Sequence, residues 1–144
     1  MIVERGCALV CGGMGGVMEA ACRGARDARA RGADGVAVGI LPVDGLDGGN
    51  QLCELVIPTG MGVARNILVV RSADAVVLVG GGAGTLSEAA YAWQLGKPLI
   101  ALLGSGGWAD RLAGTRVDER RSDRVAAARS AEEAVALALA AARR

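Results

Sequence analysis

Apolar residues along this chain come in short unbroken runs, each stopped by glycine or proline and separated by stretches of helical period. Residues 76–79, Val-Val-Leu-Val, carry no polar side chain, which suits a strand buried on both faces of a parallel sheet. Similar runs fall at 7–11, at 35–41 before Pro42, at 52–57 before Pro58 and at 98–103, with a short edge strand at 125–128. Between them, a helix from Val17 presents Ala21, Gly24, Ala25 and Ala28 to the sheet and Arg26, Asp27, Arg29 and Arg31 to water, ending near Gly32. Further helices are predicted over 63–72 and over 86–95, the latter stopped at Gly96. Ser130 and Glu133 have the spacing of a capping box before an alanine- and leucine-rich helix that runs to the end. Strands alternating with helices imply right-handed βαβ units. The expected fold class is therefore α/β, a doubly wound, mostly parallel, Rossmann-like sheet with helices on both faces.

Two of the strand ends open into glycine turns. Gly80-Gly81-Gly82-Ala83-Gly84-Thr85 follows one and Gly12-Gly13-Met14-Gly15-Gly16 follows the other. Glycines leave the backbone bare for close approach, and the helix behind offers unpaired N–H groups and a positive dipole end, a combination that holds anions. Thr85 is placed to accept from a first-turn N–H, and Glu88 lies one turn into the helix. The plain alternative is a tight turn followed by a solvated glutamate. Arg65 and Asn66 open the helix at 63–72, where the dipole favours anions, so Arg65 has no local reason to be there. In a doubly wound sheet such turns lie along one edge, where between them they would hold a phosphate and its sugar. A third glycine loop, 104–107, precedes Trp108, read either as a cap on that crevice or as cover for a small core. The charged stretch 116–124 is expected to be irregular.

Composition narrows the chemistry. At 144 residues and 52% hydrophobic, the chain suits one domain, 1–144. A net charge of +1 and 2% aromatics argue against nucleic acid, which needs a concentrated basic surface and stacking platforms. Histidine is absent, so imidazole catalysis and histidine-ligated metals are excluded. Cys7, Cys11, Cys22 and Cys53 include no C-x-x-C pair and are read as buried free thiols of a reducing compartment, with no metal expected. No signal peptide or membrane-length run occurs, so a cytoplasmic protein with no membrane partner is expected. Dinucleotide binding fails on spacing, because Met18 and Ser87 stand where G-x-G-x-x-G needs its last glycine; no Gly-Lys-Ser/Thr is present either.

With residues 59–66, Thr-Gly-Met-Gly-Val-Ala-Arg-Asn, these glycine turns resemble the LOG-like (SLOG) Rossmann superfamily, formerly labelled lysine decarboxylase-like, and within it the molybdenum cofactor carrier proteins and their bacterial relatives. The resemblance implies that Gly12, Gly13, Gly15, Gly80, Gly81, Gly82, Gly84 and Thr85, with Arg65, Asn66 and Glu88, bind a small phosphate-bearing ligand, a nucleoside monophosphate or molybdenum cofactor. No cofactor is required. In the phosphoribohydrolase branch the equivalents of Arg65 and Glu88 are catalytic, Glu88 stabilising the charge that develops as an N-glycosidic bond breaks. An enzyme of that kind would be a hydrolase of nucleoside 5′-monophosphates. Gly80 and Asn66 replace that branch's proline and lysine, which favours a carrier over an enzyme. A regulatory module with an empty crevice is the third reading. The decarboxylase label is discounted because the single lysine, Lys97, lies at a helix-strand junction away from the turns. A homodimer or higher homo-oligomer is expected. Relatives are expected to open with a further strand, glycine turn and helix before the equivalent of residues 7–11; only six residues precede Cys7 here, so either the true start lies upstream or the sheet is rearranged, as by dimer exchange.

Overall fold

The computed structural model describes residues 1–142. They form two compact units, one over Met1–Val69 and one from Val70 onward, each built on a three-stranded parallel sheet.

In the first unit, β1 (Leu9–Cys11), β2 (Ala37–Leu41) and β3 (Leu55–Pro58) lie side by side in that order. The register pairs Cys11 with Gly39 and Ile40 with Ile57. The crossover from β1 to β2 is α1 (Val17–Ala30), close to the predicted helix. Its inner face is Cys22, Ala25 and Ala28, packed with Val3 and Ala37, whereas Gly24 is exposed. A side chain with volume therefore takes the seam that the small-residue reading gave to glycine. Strand β3 begins at Leu55, later than expected, because Asn50 Oδ1 accepts the Leu52 N–H at 3.1 Å and bends the chain there. No helix joins β2 to β3, and the connection is the loop 42–54. After β3, a 3-10 turn, Gly62–Arg65, leads into α2 (Asn66–Ser72).

In the second unit the order is β4 (Val76–Leu78), β5 (Leu99–Leu102), β6 (Ala126–Ala128). Alternation along β5 sorts the helices. Leu99 and Ala101 point into a core with Leu78, Val125 and residues of α3 (Ala83–Gln94) and α4 (Gly107–Leu112), while Ile100 packs with Ala128 and Ala134 of α5 (Ala131–Ala142) on the other face. Helices on both faces of a parallel sheet are what the sequence pattern predicts. Helix α4 is not among the predicted elements, and only its first residue, Gly107, falls in the glycine loop expected at 104–107. Glu133 N–H donates to Ser130 Oγ at 3.1 Å as predicted, but Glu133 Oε2 accepts from Arg129 N–H, one residue before the expected cap. The prediction that this helix reaches the chain end falls on residues outside those described.

Trp93 anchors this core at 2% exposed. Its Nε1–H donates to Asp118 Oδ1 at 2.7 Å and Arg121 lies over its ring at 4.6 Å. Arg121 also donates to the Lys97 carbonyl at 2.9 Å, at the C-terminal end of α3. The charged stretch 116–124 is irregular, as expected, yet it is ordered around this indole. Trp93→Ala should cost about 3–5 kcal/mol through the cavity left behind. Trp93→Phe should cost less, losing the bond to Asp118 while keeping most of the ring volume. Chemical denaturation of the two variants tests this, and equal losses would contradict the packing assignment.

Candidate functional site

The turn after β1 is held from three directions within its own unit. Arg65 Nη2 donates to the Gly12 carbonyl at 3.1 Å, Asn50 N–H donates to the Gly13 carbonyl at 2.8 Å, and Asn50 Nδ2 donates to the Met14 carbonyl at 2.9 Å. Arg65 is positioned by the segment before it. Thr59 N–H and Oγ1–H both donate to the Leu41 carbonyl at the end of β2, and Gly62 N–H donates to the Pro42 carbonyl at 2.8 Å. That clamp turns the 3-10 segment so that the guanidinium lies over Gly12, where a Cβ would run into it and into Met18 Sδ. Gly12 is therefore required by close approach.

Arg65 is 8% exposed and Asn66 5% exposed, the two buried polar side chains of the described residues. Arg65 Nη1 donates to Asn66 Oδ1. Among the described residues, Arg65 Nε is the one buried side-chain nitrogen or oxygen without a hydrogen-bond partner, and no carboxylate of its unit forms an ion pair with it. A buried cation is ordinarily paired, because an unmatched N–H in the interior costs about 1–3 kcal/mol. An anion docked here would satisfy that N–H and neutralise the charge. Arg65 is thus buried instead of reaching solvent.

In the second unit the turn after β4 is braced by the third glycine loop. Gly80 N–H donates to Ser105 Oγ at 2.8 Å, while the Gly80 and Gly81 carbonyls accept from Ala109 and Trp108 N–H, each at 3.0 Å. Asp110 fixes that loop by accepting from Gly104 and Gly106 N–H at 2.7 and 3.1 Å. Gly80 has a φ of +57°, which a proline, locked near about −65°, does not reach. Helix α3 starts at Ala83, three residues ahead of prediction, with Gly82 as an N-cap that makes no side-chain bond. The expectation that Thr85 accepts from a first-turn N–H is corrected accordingly. Thr85 lies inside the first turn and its side chain packs against Gly81. Exposed Gly81, Gly82 and Gly84 leave the N-terminal end of α3 open to a ligand, and Glu88 follows, half-buried, on the same helix. Trp108 covers core rather than crevice, packing on the cluster around Trp93 with Arg111 over its ring at 5.0 Å.

Asn50, Ser105 and Asp110 hold the turns and were missed. Asn50 and Ser105 are short polar side chains in glycine-rich loops and Asp110 is one on α4, a type that bonds nearby backbone, but sequence does not show which distant turn Asn50 and Ser105 meet. Gly15 is exposed at the rim of the first turn and makes none of the contacts just described. Lys97 lines a pocket of about 480 Å³ with Asp74, Pro98, Arg121 and Asp123, where β4 and β5 begin, opposite the strand ends that carry the glycine turn. Among the described residues no helix is long and apolar enough to cross a membrane.

The profile of the SLOG cluster4 family matches residues 1–135. An uncharacterized protein of Archaeoglobus fulgidus is 45% identical over 102 residues, 71% of this chain and 64% of the relative, so the chain spans less than two thirds of that protein. The X-ray structure of TM1055, a structural-genomics target, superposes with a TM-score of 0.82 at 37% identity, covering 94% of this chain and 79% of that one. A molybdenum cofactor binding protein from the phototrophic bacterium Rippkaea orientalis superposes with a TM-score of 0.63 at 41% identity, over 70% of this chain and 60% of that one.

Proposed function

Because the chain belongs to the SLOG cluster4 family, we propose that it binds a phosphate-bearing, nucleotide-like small molecule, the molybdenum cofactor being the leading species, and carries it without transforming it. The observation that carries this reading is the orphaned Nε of buried Arg65 above the Gly12 carbonyl. A phosphate oxygen is the partner a guanidinium fork is shaped for, and its charge offsets the desolvation of the cation. Within the second unit, the glycine turn ahead of α3 is an anion-binding element in its own right, its Gly82 N-cap making no side-chain bond. The molybdenum cofactor binding protein of similar structure supports the choice of ligand. The family profile's continuous span supports reading the chain as one LOG-like domain, and the four free cysteines support a cytoplasmic setting, with a homo-oligomer as the expected form.

Carrier and enzyme divide on Glu88. Incubation with AMP should yield no free adenine in either wild type or Glu88→Ala, while AMP, or cofactor retained from the host and detected by native mass spectrometry, raises thermal stability by mass action. Adenine release by wild type that Glu88→Ala abolishes would replace the carrier with a phosphoribohydrolase. Flat thermal shifts with AMP, inorganic phosphate and molybdenum cofactor alike would remove both readings. The same native spectra report subunit number.

A further inference from the structure

Three of the four cysteines converge although nothing in their spacing announces it. Cys11 ends β1, Cys22 lies on the inner face of α1 and Cys53 lies in the loop ahead of β3. Cys22 Sγ is 3.6 Å from Cys11 Sγ and 3.4 Å from Cys53 Sγ, and the three sulfurs lie within 4.8 Å of one another. Cys7 stands apart, its thiol directed at the Arg5 carbonyl. We propose that Cys11, Cys22 and Cys53 form a trithiolate site for a divalent thiophilic cation of the zinc class, separate from the phosphate site around Arg65.

Four features support it. A zinc–thiolate bond of about 2.3 Å in tetrahedral geometry sets neighbouring sulfurs about 3.8 Å apart, close to the separations here. Gly13 N–H points at Cys11 Sγ at 3.4 Å, and an amide aimed at sulfur is better used by a metal-bound thiolate than by a neutral thiol, which accepts weakly. Cys53 also borders a pocket of about 280 Å³ lined by Asn50, Gln51 and Glu54, which supplies an entry path. That pocket leaves room for a water as fourth ligand, and Asn50 Oδ1, 3.5 Å from Cys53 Sγ, is a protein alternative. Finally, charge selects the ion. Zn²⁺ displaces one proton from each of three thiols and leaves the site with a single net negative charge. A monovalent ion with the same three thiolates would leave two, at greater cost in a half-buried site. Bound there, the ion would tie β1, α1 and the loop before β3 together.

The test uses the full chain, reduced and stripped of metal, titrated with Cd²⁺, Co²⁺ and Zn²⁺. Expected are a thiolate-to-metal charge-transfer band that saturates at one equivalent of Cd²⁺, tetrahedral Co²⁺ visible bands, and a Tm that rises with Zn²⁺ to the same stoichiometry. Cys53→Ser and Cys11→Ser should each weaken Cd²⁺ binding by more than the roughly 10–100-fold that loss of a supporting second-shell group costs. Cys7→Ser should leave it unchanged. Wild-type Co²⁺ spectra keep the test decisive should a variant not fold. Absence of a saturable band, a band unaffected by Cys11→Ser and Cys53→Ser, or one dependent on Cys7 overturns the proposal in favour of three packed thiols.

Discussion

Arg65→Met should cut ligand-dependent stabilisation sharply while leaving the unliganded protein as stable as wild type or more so. Methionine keeps the apolar stem and most of the volume under Gly12 but removes the buried charge and its orphaned Nε. The unliganded protein loses a bond to the Gly12 carbonyl, worth about 1.5–3 kcal/mol for a charged donor, and is relieved of a comparable desolvation burden. The liganded protein loses the phosphate contact with nothing in return. Affinity for AMP or the molybdenum cofactor should therefore fall about 10–100-fold, read by calorimetric titration. Arg65→Lys should fall between, since an ammonium cannot hold the Gly12 carbonyl, Asn66 and a phosphate at once as the planar fork does. A variant that loses unliganded stability and keeps its affinity would make Arg65 a structural strut and defeat the assignment.

Gly81→Ala is the second large effect, and it acts on folding. Gly81 has a φ of +90°, and a Cβ there would overlap the Thr85 side chain, its Cγ2 at 2.8 Å, in the first turn of α3. Left-handed backbone costs a residue with a Cβ about 1–2 kcal/mol and overpacking about 1–3 kcal/mol more, so Tm should fall by roughly 5–15 °C. Thr85→Ala should fail to rescue it, because Thr85 Cβ is itself part of the overlap. Gly82→Ala, next along the turn, should be nearly neutral: its φ is −103° and nothing lies within 4 Å of the added carbon. Thermal melts of the three variants give the ordering, and a Gly82 loss as large as that at Gly81 would show that the turn is not as described.

The strands and most helices were legible because their causes are local. Val76, Val77 and Leu78 alternate between the two cores of the second unit, so a run without polar residues was the right signal for a strand covered on both faces. The start of α3 is not legible because three glycines conceal a cap, and a helix capped by Gly82 needs no capping side chain to announce it. Helix α4 was hidden for the same reason. At the candidate site, Arg65 stood out as a residue whose helix position had no local rationale, and the glycine turns stood out by composition. Their braces did not. Asn50 meets Met14 and Ser105 meets Gly80 across loops whose length places no constraint on which turn they touch.

What the sequence determined by itself was the alternation of buried strand, glycine turn and helix, because apolar periodicity and backbone freedom operate within a few neighbouring residues. Burial of Arg65 with an unmatched Nε, and the meeting of Cys11, Cys22 and Cys53, were decided only when separate segments packed. Both arise from parallel strands whose crossovers return distant residues to one place. That return depends on how α1 and the loop at 42–54 settle on the sheet, and no spacing along the chain encodes it.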